Sequence, residues 1–275
     1  MLTAMASCSG INSGNRDGAS VSSPINDSTL CQFRNLKVEK KFMALDEDRD
    51  TLYYDNSITA LWPEVINGKP CTQLQQALLR AMTDSAELNQ LDQVIDYLLD
   101  PSSYSECDAK SLKQVTTLAS DTENKLSTSE VRINMESMTD RLLTYHLGTY
   151  SYMAGGAHGI YAHNYVTCDL KTDKAVALSD VIGDTTLLRT AIYTSIKRTY
   201  DYGKDDLFIP DNGLLPLPGD FYIQDQVLHV VYQVYEIASY AQGMIDAPIY
   251  PYMLKPEEMK RLFTPYGLEL IGYSD

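Results

Sequence analysis

Three consecutive segments of the chain, residues 131–138, 142–153 and 161–170, alternate between apolar and polar residues and are joined by short connections. Alternation with a period of two is typical of a β-strand that buries one face and exposes the other. Successive strands with short connections usually pair antiparallel. The middle of the chain therefore predicts an antiparallel β-meander, and the rest of the fold must accommodate it.

Other parts of the chain show helical spacing of apolar residues or further strand patterns. Helices are predicted at residues 72–84, 86–99, 184–201 and 256–263. Strands are predicted at residues 31–45 and 52–65, the second of which enters a turn at Pro63, and a β-hairpin is predicted at 221–234. Helices and strands thus come in blocks and not in regular β–α–β alternation. The sequence predicts an α+β fold in which antiparallel β-sheets pack against a few helices, in two sub-domains.

Composition divides the chain into three parts. Residues 1–29 are rich in Ser, Gly and Asn and poor in apolar residues, which predicts a disordered tether. Residues 101–128 are polar and mixed, and they form the predicted seam between the two sub-domains. The predicted α+β sub-domains are therefore residues 30–128 and 129–275.

The chain is strongly acidic, with 37 Asp and Glu against 22 Lys and Arg and a formal net charge of -15. Nucleic acid is excluded as a partner on this basis, because phosphate binding needs a basic surface. An acidic surface would attract a cationic partner, although a solvated acidic surface is the simpler interpretation. No stretch has the roughly 20 apolar residues of a membrane helix, so any membrane contact is expected through a lipid anchor only.

The N-terminal residues Met5-Ala6-Ser7-Cys8 resemble a bacterial lipobox, in which small residues precede a cysteine that becomes lipidated. Only seven residues precede Cys8, and they lack the basic and apolar regions of a full signal peptide. A misplaced start or a trimmed signal would account for this. We expect an exported lipoprotein of the bacterial cell envelope, periplasmic or anchored to the outer membrane; the alternative is a chance cysteine in a disordered tail.

Four cysteines remain in the predicted folded region, and none forms a C-x-x-C pair. They are Cys31, Cys71, Cys107 and Cys168. In an exported protein they would form two disulfides, with three possible connectivities. The alternative is that they are small buried apolar residues. The sequence leaves both open.

The stretch Gly155-Gly156-Ala157-His158-Gly159 is the first candidate site. His158 could act as a general base, and the glycines could bring backbone N–H groups close to an anion. The stretch is not a phosphate-binding loop, because the pattern G-x-x-x-x-G-K-[ST] is absent. Glycines between two strands also serve where a turn requires positive φ. A structural or binding role is therefore predicted ahead of catalysis.

The second candidate stretch is residues 233–243, in which Glu236 follows an apolar strand among tyrosines. Its carboxylate could orient His158, or it could be satisfied locally at the strand end. The chain has four histidines, His146, His158, His163 and His229, without an H-E-x-x-H pair. The sequence therefore predicts no metal site and no cofactor. A G-x-S-x-G nucleophile elbow is absent as well, so no enzyme class is indicated.

Four stretches together resemble the RsiV-like domain family, which forms the extracellular part of a lysozyme-sensing anti-sigma factor and occurs in exported bacterial proteins of unknown function. They are residues 155–159, 168–173, 178–182 and 235–243, within a resemblance that covers about residues 130–265. Ser239 departs from the proline of the family pattern. A vaguer resemblance of residues 31–128 to PdaC-like domains accompanies it.

The resemblance implies a binding role more than an activity. It predicts a ligand-binding or scaffold motif formed by Gly155, Gly156, His158, Gly159, Tyr235, Glu236, Tyr240 and Gly243. The leading hypothesis is a non-catalytic envelope lipoprotein that binds a protein, such as a lysozyme-like one, or a cell-wall glycan. The alternative is a cell-wall hydrolase that uses His158 and Glu236. A third possibility is a structural envelope protein in which the glycine-rich stretch only braces the sheet.

Overall fold

The structure, a computed structural model, describes residues 30–273 except positions 84, 86, 121 and 123. The strands are β1 (Gln32–Leu45), β2 (Thr51–Ile66), β3 (Lys69–Pro70), β4 (Lys113–Val115), β5 (Leu126–Met138), β6 (Leu142–Tyr152), β7 (Ile160–Asp169), β8 (Lys174–Ala175), β9 (Asp220–Gln224), β10 (Val227–Tyr232) and β11 (Ile245–Ile249). The helices are α1 (Thr72–Thr83), α2 (Leu91–Leu99), α3 (Leu178–Val181), α4 (Thr185–Tyr200), α5 (Pro256–Leu262) and α6 (Pro265–Leu270). The predicted tether and Cys8 lie outside the described residues.

The strands form a large and a small sheet. The large sheet has the order β4-β1-β2-β5-β6-β7-β8, with β3 paired to β2, and the small sheet has the order β11-β10-β9. The predicted meander is present as β5, β6 and β7, which pair antiparallel in sequence order. The α+β fold with mainly antiparallel sheets is confirmed. The exception is β2, which pairs with β5 in parallel.

The parallel pair crosses the predicted sub-domain boundary. Residues Tyr53 to Ala60 of β2 pair with residues Leu126 to Ile133 of β5, so the segments 30–128 and 129–275 share one sheet. A parallel pair needs a long connection to carry the chain back to the same end of the sheet, and here α1, α2 and β4 lie in that connection. The expected seam supplies β4, which pairs with β1. The division itself remains a prediction.

One face of the large sheet is buried beneath α1 and α2. Ile58, Ile133 and Leu147 lie in a core with Leu78 of α1 and Leu99 of α2. The alternation of the strands places polar residues on the opposite face, which stays open to solvent over β5, β6 and the first part of β7. This open face is the surface on which the candidate site is built.

A second core packs α4, α5 and α6 against the small sheet. Its members include Leu188 and Ile192 of α4, Val230 of β10 and Leu262 of α5. Helix α4 begins where predicted, because the Asp184 carboxylate accepts hydrogen bonds from the backbone N–H groups of the first helical turn. Apart from Leu142, the buried members of this second core come from residue 176 onward, whereas those of the first core end at Cys168.

The structure corrects the predicted bounds of three elements. Pro63 was expected to begin a turn, but β2 continues to Ile66 because Pro63 lies beside an irregularity in the pairing with β1, where a missing N–H is tolerated. Helix α2 begins at Leu91 instead of residue 86, since Gln90 has an extended backbone. In the predicted hairpin, β10 ends at Tyr232, and the turn is made by Asp225 and Gln226, both with positive φ.

The outer edge of β7 is completed by side chains instead of a neighbouring strand. The N–H of His163 donates to Gln233 Oε1 (2.9 Å), and Gln233 Nε2 donates to the carbonyl of His163 (2.7 Å). Two residues further on, the N–H of Tyr165 donates to Asp220 Oδ1 (3.0 Å). Asp220 and Gln233 belong to the small-sheet unit, so these bonds fasten that unit to the large sheet and pair both backbone groups of His163 and the N–H of Tyr165.

A buried ion pair forms a second fastening. The Asp169 carboxylate, fully buried at the end of β7, binds Arg141 (Nε to Oδ1, 2.6 Å) and accepts from the Tyr266 hydroxyl of α6 (2.8 Å). Burial raises the pKa of Asp169, but hydrogen bonds from the Lys171 N–H, Tyr266 and Arg141 outweigh it and hold the pKa below its usual range. Arg141 also binds Glu269 of α6. The stretch 168–173 is thus a structural tie.

The four cysteines of the described region are free thiols. Cys71 and Cys168 are buried in the core beneath α1, and burial raises the pKa of both thiols. Cys31 and Cys107 are half-buried. The two alternatives were disulfide bonds or small buried apolar side chains. Cys71 and Cys168 are buried apolar side chains, and no disulfide is present among the described residues.

The Asp220 carboxyl, which is hydrogen-bonded to the edge of β7, makes the stability of the folded protein depend on pH. Burial raises the pKa of its carboxyl to about 6, so the folded protein holds this proton more tightly than the unfolded chain. Stability from this group is present below pH ~4 and is lost as pH rises to ~6. We expect the Asp220→Asn variant, measured by urea unfolding, to gain stability relative to the wild type as pH increases across this interval.

The exposed Asp211 supplies the control for this titration, because Asp211→Asn changes the same chemical group without burial. The stability difference between this variant and the wild type, measured from pH 4 to 7, is the baseline for the Asp220→Asn series. If the stability difference of Asp220→Asn changes with pH no more than that of Asp211→Asn, the raised pKa assigned to Asp220 is wrong.

Candidate functional site

The glycine-rich stretch forms the turn between β6 and β7, and its first two glycines are required by the backbone. Gly155 has φ +76°, a conformation that a side chain disfavours. A Cβ at Gly156 would lie 2.9 Å from the carbonyl oxygen of Met153, which accepts the N–H of Gly156 within the same turn. The turn therefore needs glycine at both positions.

Gly159 is required by packing. A Cβ on this buried residue would lie 2.4 Å from the ring of Tyr150, so the missing side chain is what allows that ring to lie across the turn. The carbonyl of Gly159 accepts hydrogen bonds from the Tyr240 hydroxyl (2.7 Å) and from His158 Nδ1 (3.0 Å). Tyr240 thus connects the turn to the segment that follows β10.

His158 is exposed at the tip of this turn. Its ring stacks on Tyr240, with centroids 4.1 Å apart and planes at 27°. Its Nδ1 donates to the Gly159 carbonyl, and the Tyr235 hydroxyl lies 3.5 Å from its Nε2. The two stretches singled out in the sequence therefore meet through aromatic rings.

Glu236 is held within its own turn. Its Oε2 accepts from the N–H of Gln233 (2.8 Å), and the N–H of Gly219 also donates to the carboxylate. Among the described residues, His158 and Glu236 share no hydrogen bond or ion pair. The sequence analysis left two alternatives for the Glu236 carboxylate: orienting His158, or forming local hydrogen bonds at the strand end. The structure shows the second. Desolvation raises the pKa of its carboxyl.

Tyr235 is the most unusual residue of the site. It has φ +67° although it is neither Gly nor Asn, and its side chain is 51% exposed. A bulky residue in this left-handed region is strained by about 1–2 kcal/mol. Its ring lies 5.5 Å from that of Tyr240. The fold therefore holds an exposed tyrosine in an unfavourable backbone conformation, which is a feature that clusters at functional sites.

The last residue of the predicted motif, Gly243, ends a short 3-10 turn at Tyr240–Gln242. It has φ +74°, and a Cβ there would lie 3.5 Å from the Tyr161 hydroxyl. Positive φ explains this glycine without a ligand. The turn that it ends holds the Tyr240 ring against the ring of Tyr161 at 5.9 Å.

From Tyr240 the ring contacts continue along β7 and into the small sheet, and we call this series the aromatic ribbon. Its members in order are Tyr235, Tyr240 with His158 stacked on it, Tyr161, His163, His146, Tyr165, Tyr222 and His229. Centroid distances between successive rings run from 4.1 to 5.9 Å. All four histidines of the chain belong to this ribbon.

His146 and His163 are joined by a hydrogen bond between Nε2 and Nδ1 (2.9 Å). Burial lowers the pKa of both imidazoles, so both are neutral at pH 7. Each neutral ring then has one nitrogen in this bond and another that can face a ligand. The amino-acid sequence contains no local signal for this pair, because the two residues are brought together only by the register of β6 and β7.

His229 forms a second pair that sequence reasoning missed. Its Nδ1 lies 3.0 Å from the carboxylate of Asp246 on the adjacent strand, and the Tyr222 hydroxyl donates to the same carboxylate (2.8 Å). An Asp that orients a His is typical of catalytic triads. A Ser, Thr or Cys nucleophile bonded to His229 is missing from the described part of the chain, so the pair lacks the group that it would activate.

In the part of the chain that the structure describes, no cluster of three or more His, Cys, Asp or Glu side chains is arranged to hold a metal ion. In those same residues, no helix has both the length and the apolar character to cross a membrane.

The conformation of Gly155 gives a direct test of the turn. Gly155→Ala places a side chain at φ +76° with free space around it, so strain alone should lower the free energy of unfolding by about 1 kcal/mol. Gly219→Ala is the matched control, because Gly219 has equal space and no positive φ. Urea unfolding that gives equal stabilities for both variants would contradict the left-handed turn.

Comparison with known proteins supports the fold. Residues 174–250 match the DUF3298 family, which is described as a protein of unknown function. No curated protein matches the chain. Two crystal structures are similar to it. A DUF3298 family member from Bacteroides fragilis has a TM-score of 0.61 and 19% identity, covering 88% of this chain and 96% of its own. A DUF3298 family protein from Pseudomonas aeruginosa PAO1 has a TM-score of 0.53 and 14% identity, covering 87% and 98%.

At these identities the likeness establishes the fold alone. The matched segment begins at β8 and ends just after β11, so it contains Tyr235, Glu236, Tyr240 and Gly243, whereas the glycine-rich turn precedes it. The C-terminal region of the chain carries a DUF3298 domain, and the fold of the chain is that of structurally known DUF3298 family members.

Proposed function

We propose that this chain is a non-catalytic binding module of the bacterial cell envelope, and that it binds through the aromatic surface at the glycine-rich turn. The observation that carries the proposal is Tyr235, a half-exposed tyrosine held at φ +67° beside His158. Nothing in the core requires a tyrosine at this exposed position. A ligand that packs against its ring would explain why a strained residue occupies it.

The surroundings of Tyr235 favour binding. Tyr150, Met153 and Ile160 are large exposed side chains on the strand ends that flank the turn, and Tyr150 is 40% exposed. Tyrosines are enriched in binding surfaces because they offer a rigid apolar ring with a polar tip. Tyr240 is fixed by its hydrogen bond to Gly159, so the platform of His158, Tyr235 and Tyr240 is preorganised. We call these three side chains the turn platform.

The chemistry of the turn platform favours binding over hydrolysis. His158 Nδ1 is committed to a backbone carbonyl, and Glu236 is committed to two backbone N–H groups. A hydrolase that used His158 and Glu236 would need both side chains to converge on one cleft, where they could reach the scissile bond and the attacking water. Their present hydrogen bonds point to separate structural roles.

The location and partner class rest on the sequence. The Met5–Cys8 stretch supports export and lipidation, and the resemblance to the RsiV-like and PdaC-like families supports a role at the cell wall. The net charge of -15 suits a basic protein of the lysozyme kind, and the aromatic platform suits a cell-wall glycan. Binding of either one satisfies the proposal.

Tyr235→Gly separates a binding role from a structural one. Glycine relieves the strain at φ +67°, so the free energy of unfolding should increase by about 1 kcal/mol. Binding to purified peptidoglycan sacculi or to lysozyme should fall at least ~10-fold, as expected for the loss of an aromatic anchor. The control is Tyr252→Ala, since Tyr252 is 79% exposed and lies outside the turn platform.

A Tyr235→Gly variant that loses stability and keeps its binding would show that the tyrosine braces the fold, and the turn platform would no longer be the binding face. Turnover of peptidoglycan by the wild type that disappears in both His158→Ala and Glu236→Gln would establish the hydrolase instead. Absence of binding to both sacculi and lysozyme would refute the proposed function.

Lipidation has its own test. When the chain is produced in a bacterium with labelled palmitate, Cys8→Ala should abolish incorporation of the label and release the protein from the membrane fraction. Cys107→Ala, which changes a half-buried cysteine of the folded region, should leave the labelling unchanged. Equal labelling of the wild type and Cys8→Ala would exclude Cys8 as the anchor.

A further inference from the structure

We propose that the open face of the large sheet contains a second feature, a cleft that binds a neutral oligosaccharide; this rests on the proposed function and names its ligand class. The cleft lies over β5, β6 and β7 and has a volume of about 460 Å³, within the ~300–1,000 Å³ typical of ligand sites. The residues that line it include Arg132, Asn134, Tyr150, Tyr161 and His163, with Gly148 at the floor.

The strand register arranges these residues in three rows. Glu130, Tyr150 and Tyr161 are paired across the strands in the first row, and Asn134 and His146 are paired in the third. The middle row is Arg132, Gly148 and His163. Residues two apart on a strand point to the same face, so Gly148 lies at the centre of a frame of polar and aromatic side chains.

Gly148 is the observation on which the cleft depends. Unlike Gly155, it has no positive φ, so the backbone does not require glycine. A Cβ there would contact only the His146 ring, at 3.3 Å. Glycine in the interior of a strand is destabilising, and it marks places where another molecule approaches the backbone closely. The missing side chain opens the floor of the cleft and leaves His146 undisturbed.

The charges of the cleft favour an uncharged ligand. Arg132 is the only cation among the residues that line it, and its guanidinium already binds the Glu130 carboxylate at 2.7 Å. An anionic ligand would have to compete with Glu130, and a cationic ligand would have to compete with Arg132. A neutral ligand can instead hydrogen-bond to both members of the pair without breaking it.

The remaining groups match hydroxyl-rich chemistry. Asn134 is exposed and offers both a donor and an acceptor, and the neutral His146 and His163 have ring nitrogens beyond their shared hydrogen bond. Tyr150 and Tyr161 supply ring faces on which the apolar face of a pyranose can pack. Planar hydrogen-bonding side chains beside aromatic rings are suited to a sugar with adjacent hydroxyl groups.

The cleft is continuous with the turn platform. Tyr161 lines the cleft and also contacts Tyr240, and Tyr150 packs on Gly159. An oligosaccharide longer than the cleft would therefore extend onto the turn platform. This continuity identifies the ligand as a chain of sugars and not as a single one.

The test is calorimetric titration of the full chain with chitotetraose, a neutral oligosaccharide. Gly148→Leu fills the floor of the cleft and should weaken binding at least ~10-fold. Thr59→Leu is the matched control, because Thr59 pairs with Arg132 on the same open face but does not line the cleft. Asn134→Ala is a second cleft variant that removes only an exposed side chain, in case Gly148→Leu fails to fold.

Loss of chitotetraose binding in Gly148→Leu or Asn134→Ala, with wild-type binding by Thr59→Leu, is the expected result. If both cleft variants bound chitotetraose with wild-type affinity, the proposal that the cleft is the oligosaccharide site would be wrong. A wild-type chain that binds sacculi or lysozyme but not chitotetraose would also overturn it, while leaving the proposed function standing. A wild-type chain that binds none of the three would remove both proposals together.

Discussion

The side-chain pairing at the outer edge of β7 is the interaction on which the rest of the structure depends. A strand edge presents unpaired N–H and C=O groups, and here Gln233 pairs with both groups of His163 while Asp220 accepts from the N–H of Tyr165. The same bonds fix the small-sheet unit relative to the large sheet. Without them, the turn after β10 would not reach the glycine-rich turn, and the turn platform would not exist.

The surface on which we propose binding follows from this arrangement in two steps. The large sheet uses one face for its core under α1 and α2, which leaves the polar face of β5, β6 and β7 uncovered. The small-sheet unit then adds Tyr235 and Tyr240 at one end of that face. Residues of the large sheet and of the small-sheet unit therefore meet on one surface. The glycines at positions 148, 155 and 159 shape this surface in different ways.

The sequence predicts what depends on local pattern. The meander, helix α4 and the β9–β10 hairpin follow from periodicity and turn residues, and the need for glycine at Gly155 follows from turn geometry. The parallel β2–β5 pair could not be predicted, because partner choice is not encoded in the period of a strand. The His146–His163 contact depends on register, and positive φ at Tyr235 contradicts the preference of tyrosine, so neither has a local signal.

The parallel pairing of β2 with β5 also sets an order of assembly. Tyr53 pairs with Leu126, so more than seventy further residues must be synthesised before the second edge of β2 can be covered by β5. The β1–β2 hairpin can form early from local contacts, but the sheet is completed only after a long loop has closed, which slows folding. A newly synthesised chain thus exposes the long edge of β2 until β5 has formed, and this interval is when the protein is most vulnerable to aggregation and chaperone capture.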